Sequence, residues 1–242
     1  MLAPVMAPPT SQPTAEQATE QYAEAVAMRV AGITHLRLGE GHAALTALGT
    51  ARDMFAHQGH EAQVGWTMQG EGQVLDMIDR SHEASQRFEE AETIFRRLND
   101  LRGAGHLQRC RADIMRRTGH PDEAMVLYGT ALDLCRHVND ADGMASIVSA
   151  RAELHLFRQT PDQAFADLTK ALALRATSPR RPDTIDFLIQ ARLARCATAL
   201  GKADDAFAHV GKAQAIANTV ALNNDRSDPD VTAHLKSLPK VD

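Results

Sequence analysis

Small and apolar residues recur along the chain with a period of about forty. The pattern alanine, three residues, an apolar residue, two residues, alanine occurs five times. The copies are Ala44–Leu48–Ala51, Ala84–Phe88–Ala91, Ala124–Tyr128–Ala131, Ala164–Leu168–Ala171 and Ala206–Val210–Ala213. Successive copies start 40, 40, 40 and 42 residues apart. Other columns keep the register. Twelve residues before each first alanine stands a small residue: Gly32, Gly72, Ala112, Ala152 or Ala194. Five before it stands a turn-compatible residue: Gly39, Asp79, Gly119, Gln159 or Gly201. Ten after it stands an apolar one: Met54, Ile94, Leu134, Leu174 or Ile216. Each period therefore predicts two helices, with small residues at the columns where their backbones approach closely.

The turn between the two helices of a period has its own chemistry. In Gly119-His120-Pro121-Asp122, glycine supplies the C-terminal cap, and proline opens the next helix where its missing N–H costs nothing. Gln159-Thr160-Pro161-Asp162 repeats this, with Thr160 the expected N-cap, and Gly201-Lys202-Ala203-Asp204 gives it again. Asp122, Asp162 and Asp204 fall in the first turn, where the helix dipole favours negative charge.

These columns resemble the tetratricopeptide repeat, a helix–turn–helix unit that stacks into a right-handed superhelix. The period of 40 exceeds the usual 34 and is similar to kinesin-light-chain-like repeats and to repeat regions of bacterial regulators. The tryptophan usual early in the first helix is absent from its column. Ala56, Arg96, Arg136 and Ala176 stand where a proline often closes the second helix. The resemblance implies an all-α, right-handed solenoid of five repeats over residues 17–221, with units at about 22–60, 61–100, 101–140, 141–182 and 183–221. Residues 1–16 read as a Pro-rich disordered tail or linker; four of the ten prolines lie within residues 1–15. Residues 177–183 form the longest internal connector. Residues 222–242 read as a polar tail, with a short capping helix expected near 230–237.

Composition agrees with this picture. Alanine, the best helix former, supplies 41 of the 242 residues, whereas aromatic residues are 4%. Net charge is −5, which gives no basic footprint for direct nucleic-acid binding. No apolar run suggests a membrane span, and the first residues do not read as a secretory signal. Three cysteines, Cys110, Cys135 and Cys196, are odd in number and lie in helical patterns. They read as buried small hydrophobes in a cytoplasmic protein. An Ala/Arg/His-rich, lysine-poor composition suggests a GC-rich bacterial genome.

Catalytic signatures are missing. There is no G-x-x-x-x-G-K phosphate loop, no G-x-S-x-G elbow and no H-E-x-x-H motif. Gly70-Glu71-Gly72 falls in a helical register. His57 and His60 could share a helix face, and His42 and His82 share a repeat column; both pairs read as polar helix ends rather than metal ligands. No catalytic residue, cofactor or metal is expected.

In such solenoids the first helix of each unit lines a concave groove that binds peptides or partner segments. Carried over by register, the resemblance places Arg29, Arg37, Trp66, Gln69, Gln73, His106, Arg109, Asp113, Arg116, Arg117, Phe157 and Arg195 in that groove. Arginine forks hold carboxylates bidentately, so an acidic or mixed peptide is the expected ligand. The alternative is that the arginines solubilise a helix face and pair with Asp76, Asp113 and Glu153. The lysine–asparagine clamp of chaperone-binding members is not matched. The leading expectation is thus a non-enzymatic scaffold or adaptor. A peptide-sensing regulatory region is the alternative, an enzyme built on the scaffold has no supporting constellation, and self-association through the end repeats is a further expectation.

Overall fold

The computed structural model describes residues 14–177 and 183–223. Every regular element among the described residues is an α-helix: α1 (Ala15–Arg37), α2 (Gly41–His57), α3 (Glu61–Met77), α4 (Ser81–Leu98), α5 (Leu101–Arg117), α6 (Pro121–His137), α7 (Ala141–Phe157), α8 (Pro161–Arg175), α9 (Thr184–Ala199) and α10 (Ala203–Asn223). The helices pair in chain order, α1 with α2 through α9 with α10, and each pair stacks on the next. The odd-numbered helices also touch one another, α1 with α3, α3 with α5, α5 with α7 and α7 with α9. No two even-numbered helices pack as closely among the described residues. The stack therefore curves toward the odd helices, which form its inner face.

The repeating columns build the core. All ten column alanines are buried, none more than 4% exposed. Leu48, Phe88, Tyr128 and Leu168, the apolar residues between them, are buried as well, while Val210 in the last repeat is partly exposed. The small column beside them is a steric requirement. A Cβ on Gly72 would stand 2.6 Å from the Phe88 ring, and one on Gly32 equally close to Leu48.

All five turn-column residues adopt the left-handed conformation that ends a helix: Gly39, Asp79, Gly119, Gln159 and Gly201 have φ of 74°, 60°, 84°, 57° and 71°. Gly59, Asn99 and Asn139 do the same between repeats, a second column that the sequence pattern did not reveal. Pro121 and Pro161 open their helices as expected. Thr160 takes the N-cap position of α8 as expected, but its side chain does not cap the helix. Its hydroxyl turns back to the carbonyl of His155 at 3.0 Å, and no side-chain bond reaches the start of α8. Proline at the first helical position leaves one amide fewer for that hydroxyl to satisfy.

The first helix begins earlier than the sequence suggests. Thr14 and Gln17 form a reciprocal capping box, so α1 starts at Ala15, inside the segment read as a tail. The rest of that segment, residues 178–182 of the connector, and residues 224–242 with the expected capping helix lie outside the described residues. Beside the connector, the buried guanidinium of Arg175 binds Asp142, Asp183 and Asp186 at 2.8, 2.6 and 3.0 Å, joining the fourth repeat to the start of α9. Another buried ion cluster sits on α3, where Glu71 meets Arg52 of α2 at 2.8 Å and Arg87 of α4 at 3.1 Å. No helix among the described residues is long and apolar enough to cross a membrane.

Candidate functional site

The inner face carries a ladder of charged and polar side chains that crosses from α3 to α9. Arg117 on α5 reaches back to Asp76 on α3. Gln69 and Gln73 on α3 donate to the sulfur of Cys110 on α5, at 3.2 and 2.9 Å. Arg109, one residue before that cysteine, donates to Asp113 at 2.8 Å. Asp113 also accepts from the Tyr128 hydroxyl, which comes from α6 between the helices. On α7, Glu153 receives Arg192 at 2.7 Å and Arg195 at 3.2 Å from α9, and Arg192 also donates to Ser149 at 2.6 Å. Arg116 of α5 lies within electrostatic reach of both Tyr128 and Glu153, which closes the gap between the two halves.

Burial and charge set the protonation of these groups. For Arg109, burial opposes the charge, but the neighbouring acidic groups, Asp113 among them, outweigh it and keep the guanidinium charged. Burial also pushes Glu153 upward, yet Arg192 and Arg195 hold its carboxyl below the usual value. Burial raises the Cys110 thiol in spite of Arg109 beside it, so the sulfur is a neutral acceptor and a poor nucleophile. Burial, reinforced by Asp113, likewise keeps Tyr128 protonated.

The expected groove residues divide in three. Gln73, Asp113 and Arg117 meet around a cleft of about 360 Å³ that Leu36 and Met77 also line, and Arg109 holds Asp113 from behind it. Arg116 and Arg195 continue the same face toward α9. Trp66, Gln69 and His106 do not offer the free surface that the register suggested. Gln69 is 6% exposed and spent on Cys110. Trp66 packs edge-on against Phe95 and His106 and donates its indole N–H to Asp100 at 3.2 Å. His106 faces Asp140 at 3.4 Å. These three point sideways into the seams between adjacent odd helices, where the next repeat covers them. Arg29, Arg37 and Phe157 stand apart from the ladder. Arg29 and Arg37 lie on α1, and Phe157 is 65% exposed at the end of α7. The carboxylates that hold Arg109, Arg117 and Arg195 are Asp113, Asp76 and Glu153.

The ladder and Arg29 on α1 beside it still have open valences. No protein atom accepts from the buried Nε of Arg29, Arg109 or Arg116, or donates to Oε1 of Gln69. Beyond Gln58, these are the buried side-chain polar atoms left without a partner among the described residues, and all belong to expected groove residues.

Sequence reasoning missed Cys110 and Tyr128 as ladder members, and Arg192 as the main partner of Glu153. It also missed a cluster at the junction of the third and fourth repeats. The ligand atoms of His106, Cys135 and Asp140 all lie within 4.8 Å of one another. Burial and nearby arginines lower the His106 pKa, and burial with Asp140 pushes the Cys135 thiol up to about 11. An apolar cleft of about 510 Å³ opens elsewhere, between α4, α5 and α6, lined by Phe88, Met115, Leu127 and the exposed Val126. Of the histidine pair near the end of α2, His60 stacks edge-on against Tyr22 and Phe55, and His57 ends the helix.

No protein-family model and no curated protein matches the sequence. Solved structures do share the fold. NprR, determined in complex with its cognate peptide NprX, is 17% identical with a TM-score of 0.66, over 92% of this chain and 64% of that one. This chain thus spans a little under two thirds of NprR. TTC0263, a thermophilic TPR protein of Thermus thermophilus, is 18% identical with a TM-score of 0.59, over 88% of this chain and 98% of the other. The Q17M form of the TPR-like repeats of a putative kinesin light chain from Podospora anserina is 15% identical with a TM-score of 0.53, over 84% and 97%. With ten helices in five stacked pairs among the described residues and these neighbours, the chain has the tetratricopeptide-like α-solenoid fold.

Proposed function

We propose that this chain is a non-enzymatic peptide-binding module whose ligand lies along the inner face of the odd-numbered helices. The carrying observation is the set of unsatisfied guanidinium nitrogens of Arg29, Arg109 and Arg116 on that face. A buried donor without an acceptor costs about 1–3 kcal/mol, so a partner that brings acceptors is favoured there. Six arginines, at 29, 109, 116, 117, 192 and 195, share the face with the carboxylates of Asp76, Asp113 and Glu153. The excess of positive charge favours a peptide with acidic side chains or a free carboxylate. The existing pairs hold the guanidinium planes in place before the ligand arrives, which lowers the entropy lost on binding. Superposition over 92% of the chain on a protein solved with a bound peptide supports the same reading, and it favours as a second reading a peptide-sensing regulatory region of a larger bacterial protein.

The test uses fluorescein-labelled acidic peptides selected against the purified chain and measured by anisotropy. The triple variant Arg109→Glu/Arg116→Glu/Arg117→Glu is expected to bind at least about tenfold more weakly, a loss of about 1.4 kcal/mol or more. Arg116→Gln, which breaks none of the ion pairs of the ladder, is expected to lose part of that. Circular dichroism must show both variants still helical. Undiminished binding by the folded triple variant contradicts the proposal.

A further inference from the structure

The 40-residue period allows each junction between repeats to be compared with the one before it. At the junction of the second and third repeats, Trp66 of α3 donates to Asp100, the N-cap of α5, and packs on Phe95 of α4. One period later the corresponding residues are His106, Asp140 and Cys135. The frame around them is unchanged. Asp140 caps α7 as Asp100 caps α5, each accepting from the glycine three residues on. Gly65 and Gly103 crowd Phe95, and Gly105 and Gly143 crowd Cys135 in the same way. Within a common frame, the two bulky aromatics are thus replaced by two smaller side chains, and both replacements are metal ligands.

We propose that His106, Cys135 and Asp140 form a binding site for a zinc-like divalent cation that links the third repeat to the fourth. Imidazole, thiolate and carboxylate suit Zn²⁺. Their ligand atoms lie within 4.8 Å of one another, and a tetrahedral zinc would draw them to about 3.5 Å apart, a shift that side-chain rotation supplies. Asp140 is already oriented. Its Oδ1 accepts from the Gly143 amide at 3.0 Å, which leaves Oδ2 turned toward Nε2 of His106. The indole N–H at the earlier junction can only donate to its carboxylate, whereas the imidazole nitrogen that replaces it offers a lone pair. Arg102 lies 3.3 Å from the same oxygen, but its side chain is 58% exposed and can turn to water when a dication enters. The Cys135 thiol passes its proton to solvent as the sulfur–metal bond forms. Three protein ligands leave a fourth position for water. The ligands come from α5, from α6 and from the cap of α7, so the ion fastens three consecutive helices.

The full chain, reduced with a non-coordinating phosphine, is titrated with Zn²⁺ against a chromophoric chelator, and separately with Co²⁺. One equivalent of Zn²⁺ is expected to be retained and to raise the melting temperature. Co²⁺ should show a thiolate-to-cobalt charge-transfer band with four-coordinate d–d absorption. The band should vanish in Cys135→Ser and persist in Cys110→Ser and Cys196→Ser. His106→Trp/Cys135→Phe restores the pair of the preceding junction, within glycines that already accommodate it, and should fold and melt cooperatively without responding to Zn²⁺. A charge-transfer band that survives Cys135→Ser, or a chain that retains no Zn²⁺ while folded, overturns the proposal.

Discussion

Trp66 donates its indole N–H to Asp100, 34 residues further along the chain, and so ties the second repeat to the helix cap of the third. Asp100 serves two donors at once, since its other oxygen accepts from Gly103 at 2.8 Å. The bond joins a side chain that the register assigned to the groove with a residue whose work is structural. It shows why the inner face is narrower than the sequence suggested: part of each odd helix is used in gripping the next.

Trp66→Phe keeps the ring against Phe95 and removes the donor. A bond to a charged acceptor in a partly buried place contributes about 1.5–3 kcal/mol, and urea denaturation should show a loss of that order. Peptide affinity should change little, because the indole is turned into the seam. A large loss of affinity at unchanged stability would return Trp66 to the binding surface.

Glycines in this solenoid differ in sign. In Gly72→Ala, the new Cβ falls 2.6 Å from the Phe88 ring, and overpacking of about 1–3 kcal/mol outweighs a gain in helix propensity of about 1 kcal/mol or less. Gly129→Ala, also within a helix, meets nothing within 4 Å and should stabilise by about 0.5–1 kcal/mol. Melting curves of the two variants should move in opposite directions.

Glu153 confers an acid limit on stability. Its folded pKa is lowered because Arg192 and Arg195 outweigh the effect of burial. A lowered carboxylate pKa contributes stability that is complete above the unfolded value and is lost as pH falls through the folded one. The wild type should therefore exceed Glu153→Gln by about 1–3 kcal/mol near neutrality. The two should converge below the ordinary carboxylate range. Denaturation of both proteins across acid pH measures this directly, and a gap that stays constant with pH would contradict the assignment.

The repeat itself was legible because it rests on backbone approach and turn geometry, which residue size alone dictates. Ala44 through Ala213 mark the approach. Gly39, Asp79, Gly119, Gln159 and Gly201 mark the turns even where glycine is absent. The between-repeat turns at Asn99 and Asn139 carry the same signal, an asparagine tolerant of positive φ, but Gly59 breaks the residue type, so this column has no single-residue signature. The groove was legible only as a set of helix positions. Which of its side chains face the cleft depends on how far each odd helix is rotated against its neighbour, and one step along the helix separates Arg192, bound to Ser149 and Glu153, from the buried Ala191. The Arg109–Asp113 pair was legible as an i,i+4 spacing on one helix, but Tyr128 behind it was not, because the tyrosine comes from a different helix. The cluster of His106, Cys135 and Asp140 was present in the columns, but it shows only when two junctions are compared position by position.

Hydrogen exchange of the chain with and without a saturating selected acidic peptide tests the central claim most directly. Slowed exchange concentrated on α3, α5 and α7, with α4 and α6 unchanged, is the predicted result. Protection centred on α4 and α6 around Val126, at the apolar cleft between them, with the odd helices unaffected, would contradict it.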